Sequence, residues 1–330
     1  MERKRLFPGI GAAAGMLVLI LDGKTALLGA KAGLELALYT VVPALFPFFF
    51  LSQLMTGALL GTRSLLLSPI GRLFGIPKGT EALLVTGFLG GYPAGAQSVH
   101  AAFEAGQLPG EDANRMLSFC SNAGPSFLFG MAAPMFPNAL YAWALWAIHI
   151  GGAFFASLFF SCETKHISTS GRGNISLSLA LKKAITVMST VCGWVILFRV
   201  LIAFLERWFL WLLPMTAQVA VRGMLELSNG ICSLPAVADV RLRFLLCSLM
   251  LSIGGLCVTM QTASVIQGLS LTHYLMGKGL QTAFSVAICL LFLYSNPLPL
   301  AVLGLLSLFL PRKSKKAVAK SSRLMYNEIR

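Results

Sequence analysis

Residues 80–96 read Thr80-Glu-Ala-Leu-Leu-Val-Thr-Gly-Phe-Leu-Gly-Gly-Tyr-Pro-Ala-Gly-Ala96. An apolar run of about ten residues opens on a carboxylate and stops at Gly-Gly-Tyr-Pro. Ten helical residues rise about 15 Å, half of a ~30 Å hydrocarbon core. The interruption recurs at Leu108-Pro-Gly-Glu-Asp112 and at Asn122-Ala-Gly-Pro125. Short apolar helices cut by glycine and proline are the sequence pattern of re-entrant hairpins and unwound membrane helices. The stretch from Thr80 to Met131 therefore points to a helical membrane protein with helices that stop part-way.

The composition agrees. Of 330 residues, 56 % are hydrophobic and 12 % charged, about half the charge of a soluble domain, and the mean hydropathy is +0.78. That excludes a soluble enzyme, a disulfide-stapled secreted domain and a disordered chain. The apolar runs are continuous rather than alternating, which argues against a β-barrel. The net charge of +14 sits mostly at the chain ends and between apolar runs. It predicts contact with anionic lipid headgroups and no nucleic-acid partner. The seven cysteines (120, 162, 192, 232, 247, 257 and 289) show no CxxC and no Cys/His ligand spacing. They read as reduced, buried residues, with no metal and no cofactor implied.

Working outward, residues 1–22 predict an uncleaved first membrane helix, since Leu21-Asp22-Gly-Lys24 is a poor cleavage site. A first half follows over 23–161: an interfacial helix at 24–41, a span at 41–60 carrying Pro43 and Pro47, the broken region, and a span at 137–161. Two prolines in the first span predict a kink or a break. A polar loop at 162–175 divides the chain. The second half, 176–310, repeats the order: an interfacial helix at 176–189, a span at 190–213, a region broken at Ser228-Asn-Gly230, Ser233-Leu-Pro235 and Gly254-Gly255, and apolar segments at 274–294 and 297–310. A basic tail occupies 311–330. Leu45-Phe-Pro-Phe48 aligns with Leu197-Phe-Arg-Val200, which fits a duplicated unit. Two repeats with paired broken helices are the pattern of alternating-access transporters.

The site residues follow from the breaks. In Gly91-Tyr92-Pro93-Ala-Gly95 and Ser121-Asn122-Ala-Gly124, glycine and proline free backbone groups at membrane depth, where half-helix N–H groups attract anions. Close packing through small residues is the competing reading. Glu226 lies in Gly223-Met-Leu-Glu-Leu-Ser228-Asn229-Gly230. Three-residue spacing puts Glu226 and Asn229 on one helical face, as a cavity patch or as an interhelical hydrogen-bond pair. Thr259 and Gln261, after Gly254-Gly255, complete the set as polar liners of a substrate cavity. Arg199 reads as a snorkelling side chain and His149 as a packed histidine. No nucleotide-binding, zinc-protease or hydrolase motif occurs. Transport would thus be secondary or driven by a partner, and the chain is not expected to be an enzyme.

Leu45-Phe-Pro-Phe48, Gly91-Tyr-Pro-x-Gly-Ala96, Cys120-Ser-Asn-Ala-Gly-Pro125 and Leu225-Glu-x-Ser-Asn-Gly230 resemble the YlbJ family of sporulation integral membrane proteins, also called SpoVV. The resemblance extends over about residues 7–310. It implies membership of the nucleoside-recognition, or Gate, superfamily, similar to concentrative nucleoside transporters, with paired re-entrant hairpins in two related halves. It also implies movement of a small organic anion, dipicolinate, across the outer forespore membrane. The Gln-Thr-Glu motif of the nucleoside transporters is not intact: Gly79-Thr-Glu81 is a fragment of it. A nucleoside transporter and a non-transporting scaffold acting through the basic tail stay open as alternatives. The motifs say nothing of oligomeric state.

The positive-inside rule places Arg3-Lys4-Arg5 and the tail's Arg312, Lys313, Lys315 and Lys316 in the cytoplasm. Reporter fusions at both termini should give cytoplasmic signals; signals from opposite sides would contradict the even number of crossings this requires.

Overall fold

The structure, a computed structural model, describes residues 2–62, 64, 66–160, 176–295, 298 and 301–303. The expected polar loop, the tail and most of the last apolar segment lie outside the described residues. All regular elements among the described residues are helical. Among the described residues, five helical stretches are long and apolar enough to cross a bilayer: Gly23–Leu59, Ala139–Ser157, Leu177–Trp208, Val240–Val265 and Leu271–Tyr294.

Polar and apolar residues are distributed as hydrocarbon solvent demands. Leu28, Leu38, Tyr39, Leu51, Trp143, Leu197 and Phe292 face outward, while Gln53, Thr56, Asn122, Glu226, Lys278 and Gln281 are buried. Bundle-facing polar side chains with lipid-facing apolar ones are the membrane arrangement. The chain is an all-helical polytopic membrane protein.

The first half begins with α1 (Glu2–Leu21) and α2 (Gly23–Leu36), whose N-terminus Asp22 caps by accepting from the Thr25 N–H at 3.2 Å. A π-helical turn, Ala37–Val41, joins α2 to α3 (Val42–Leu59) without a stop. The expected proline break is therefore absent. The widened turn, in which the Val42 N–H reaches the Ala37 carbonyl, absorbs the local disruption next to Pro43, and Pro47 sits inside α3. Short helices follow: α4 (Ser68–Leu73), α5 (Glu81–Leu89), α6 (Ala94–Glu104), α7 (Gly110–Leu117) and the single turn α8 (Pro125–Phe127). Helix α9 (Ala139–Ser157), capped by Asn138, closes the half.

The second half runs α10 (Leu177–Trp208), α11 (Met215–Leu225), α12 (Leu227–Ser233), α13 (Val240–Ile253), α14 (Gly255–Val265) and α15 (Leu271–Tyr294). The expected interfacial helix at 176–189 is instead the first part of α10. Its 32 residues rise about 48 Å, long enough for Lys182 and Lys183 to clear the core while the rest crosses it. At the other end Glu206 takes Arg199 at 3.1 Å and Arg222 at 2.8 Å, and Arg207 pairs with Asp22 at 2.8 Å. Arg199 thus ends in an ion-pair network.

Long helices join the two parts of the chain: α2 packs along α10 and α9 along α15. The first seam needs Gly29 and Gly33. A Cβ at Gly29 would lie 2.9 Å from Val200 Cα, and one at Gly33 2.9 Å from Ile196 Cα. This is the small-residue contact that lets membrane helices approach closely, and it makes α2 a packed helix rather than a purely interfacial one. Gly33→Leu should lower the melting temperature in detergent by several degrees, since overpacking costs about 1–3 kcal/mol. Gly193→Ala, where a Cβ meets nothing within 4 Å, should not. Equal melting of all three proteins would sink the seam.

Candidate functional site

Each half contains two broken helices that cross at their breaks. In the first half the α5–α6 break passes over the linker between α7 and α8. A Cβ on Gly87 or on Gly95 would run into the Cys120 carbonyl, and one on Gly124 would sit 3.0 Å from the Gly91 nitrogen. Gly91 is left-handed, at φ +81°, a conformation that glycine adopts without penalty. Pro93 stands at the N-cap of α6. Gly91, Pro93, Gly95 and Gly124 are thus the parts of a backbone-on-backbone crossing.

The second half repeats the device with different residues. The α11–α12 break passes the α13–α14 break. A Cβ on Gly230 would strike the Gly223 backbone, and one on Gly255 would lie 2.8 Å from the Gly223 carbonyl oxygen. Gly254 and Gly255 are both left-handed, at φ +77°. The break expected at Ser228-Asn-Gly230 falls instead at Glu226, which is extended (φ −142°, ψ 120°), while residues 228–230 are inside α12.

That displacement changes the account of Glu226. It meets Asn229 from the N-cap position, outside the helix, rather than from one helical face. It caps α12: its oxygens accept from the Ser228 N–H at 3.0 Å, the Asn229 N–H at 2.7 Å and the Asn229 side-chain amide at 2.7 Å. The positive end of α12, a natural anion site, is already filled by the protein's own carboxylate.

The two crossings face each other across a cavity of about 30 Å³. Its polar lining is Tyr92, Gly124, Glu226, Ser228 and Gln261, and its apolar lining includes Val41, Leu45, Phe127, Val191, Val195 and Val258. Room for a water or two is far below the ~300–1,000 Å³ of an occupied ligand pocket. Asn229 and Thr259 turn to local partners instead, Glu226 and the Gly255 carbonyl (3.0 Å) respectively. Gln261 also reaches the Cys257 sulfur at 3.3 Å.

Tyr92 ties the halves together. Its hydroxyl donates to the Leu251 carbonyl at 3.2 Å and accepts from Lys278 Nζ at 2.8 Å. Lys278 also donates to Gln281 Oε1 at 2.6 Å and to Asn122 Oδ1 at 3.5 Å, and Gln281 Nε2 donates to Asn122 Oδ1 at 2.8 Å. His149 Nε2 accepts from the Ala123 N–H at 3.1 Å, so this packed histidine holds the break's backbone. Ser121 is buried beside Asn122, and its hydroxyl has no hydrogen-bond partner among the described residues.

Sequence reasoning missed Lys278 and Gln281. The signal was present: Tyr274-Leu-Met-Gly-Lys278-Gly-Leu-Gln281 puts one lysine inside an otherwise apolar span. The intramembrane-charge rule that selected Glu226 selects Lys278 equally. Among the described residues, no group of three or more His, Cys, Asp or Glu side chains is placed to hold a metal.

A search of curated proteins finds a match to the sporulation integral membrane protein YlbJ of Bacillus subtilis, 33 % identical over 126 residues. The match takes in 37 % of this chain and 31 % of the relative's length. The similarity to YlbJ inferred from the motifs is thus found independently, over a shorter stretch than the motifs had implied. No family model matches the chain, and no solved structure does.

Glu226→Ala removes the α12 cap and leaves buried N–H groups unsatisfied, a loss of about 1–2 kcal/mol. It should lower the melting temperature by a few degrees, and Glu226→Gln by less, since one oxygen remains. If both variants melt with the wild type, the capping role is refuted.

Proposed function

We propose that this chain is a membrane transporter of a small organic anion during endospore formation, with dipicolinate crossing the outer forespore membrane as its substrate. One observation carries the transport reading: four broken helices, two from each half, converge on one cavity inside the bundle, where Tyr92, Glu226, Ser228 and Gln261 stand among apolar side chains. Irregular backbone at membrane depth is tolerated where it is packed in protein or lines a cavity, and transporters place their sites at such paired breaks. The sporulation setting is supported by the similarity to YlbJ. The choice of dipicolinate rests on the family resemblance of the motifs.

The mechanism follows from the parts. Substrate would enter between the crossings once the cavity widens, with Tyr92, Ser228 and Gln261 as polar contacts. The glycine crossings act as pivots, because backbone packed on backbone can turn without a side chain to repack. Seam helices α2, α9, α10 and α15 provide the fixed frame. Glu226 keeps the α12 terminus ordered and adds a negative wall, so an anion would approach from the Tyr92 side.

Deleting the gene in its sporulating host and measuring spore dipicolinate tests this. Dipicolinate should fall several-fold and return with a wild-type copy. A Gly91→Leu copy should reach normal membrane levels without restoring it, because a leucine is strained at φ +81° and meets Gly124. Unchanged spore dipicolinate in the deletion strain would overturn the substrate.

A further inference from the structure

We propose that Lys278, with Asn122 and Gln281, forms a carboxylate-binding subsite next to the central cavity, and that Tyr92 is the side chain separating the two. This rests on the anion-transport reading and names the group that would recognise the charge.

Lys278 lies within an apolar span and is 2 % exposed. Its hydrogen-bond acceptors, Gln281 Oε1, Tyr92 Oη and Asn122 Oδ1, are all neutral. The Tyr92 and Tyr274 rings lie 4.8 and 5.9 Å from Nζ. No carboxylate stands within ion-pairing distance among the described residues. Dipoles and ring faces offset part of the cost of a buried ammonium; a counter-ion is what such a charge lacks.

The carboxylate that lines the cavity, Glu226, is not bonded to Lys278. Glu226 spends its oxygens on the α12 amides. The two buried groups of opposite charge therefore have separate partners, and among the described residues the positive one has no partner ion.

A second observation points to an absent acceptor. Because the Ala123 N–H donates to His149 Nε2, the ring proton is on Nδ1. That atom is buried without a partner among the described residues, as is the Ser121 hydroxyl. The His149 carbonyl accepts from Gln281 at 3.3 Å, and Ser121 stands next to Asn122 in the chain. The ammonium and the orphan His149 Nδ1–H are both donors, and no acid stands among the partners of either. A carboxylate is an acceptor only, with about four lone-pair sites. Nothing in the arrangement calls for a neutral sugar or base.

The route is short. Tyr92 lines the cavity and contacts Lys278 directly. Swinging its side chain breaks the bonds to Leu251 and Lys278 and joins the cavity to the subsite.

Full-length wild type, Lys278→Met, Lys278→Gln and Lys278→Arg in proteoliposomes, given labelled dipicolinate or labelled uridine, provide the test. Wild type should take up dipicolinate. Lys278→Met and Lys278→Gln should lose it at least tenfold while melting within a few degrees of wild type. Lys278→Arg should retain part of it. Dipicolinate uptake within twofold of wild type in the Met or Gln variant overturns the subsite and leaves anion transport standing. Failure of both to fold makes Lys278 a structural clamp and also overturns it. Wild type that carries uridine, or neither compound, overturns the transport reading and this inference with it.

Discussion

The structure depends on the contact of peptide backbone with peptide backbone at membrane depth. Gly87 and Gly95 flank the Cys120 carbonyl, and Gly223 meets Gly230 and Gly255. In hydrocarbon, an irregular segment survives only if its backbone is buried in protein or faces water. Crossing two breaks satisfies that demand, because each break shields the other. No residue with a Cβ fits where the contact is closest, so glycine is dictated by space and, at Gly91, Gly254 and Gly255, also by φ. The cavity, its polar lining and the position of Tyr92 all follow from having one such crossing in each half.

Around that centre, the division of labour is physical. Long helices on the outside present leucine and aromatic side chains to lipid and are held by glycine seams. Inside, hydrogen bonds such as Gln53 to Gln97 at 3.0 Å and Thr56 to Thr86 at 2.9 Å tie α3 to the α5–α6 hairpin. These bonds replace the hydrophobic driving force that a bilayer does not supply. The buried charges follow a stricter rule. Glu226 is hydrogen-bonded by the α12 amides, the partly buried Arg199 and Arg222 pair with Glu206, and Lys278 is held by neutral dipoles alone.

Much of this was legible in the sequence. Apolar runs of helical length gave the class, and Gly-Tyr-Pro and Gly-Gly marked three of the four strands of the crossings, with Asn-Ala-Gly-Pro. What was not legible depended on three-dimensional packing. The α2–α10 seam could not be read because Gly29 and Gly33 look like ordinary small residues in a mixed-charge segment. The π turn before Pro43 could not be read because it has no composition of its own. The Glu226 break slipped by two residues because Ser-Asn-Gly is a turn former in water, yet it continues a helix when a carboxylate already caps the terminus. Lys278 is legible in the sequence as a lone lysine within the apolar segment 274–294.

The central claim is that the space between the crossings is a pathway that opens, rather than a packed core. Ser228 lines it and is 3 % exposed. A single cysteine placed there, with the native cysteines replaced, can be challenged with a membrane-impermeant maleimide from either face of sealed vesicles. The account predicts labelling from both faces in vesicles of opposite orientation, slowed severalfold by saturating dipicolinate. Absence of labelling from both faces, with the denatured protein labelling fully, would show a sealed core and contradict the account.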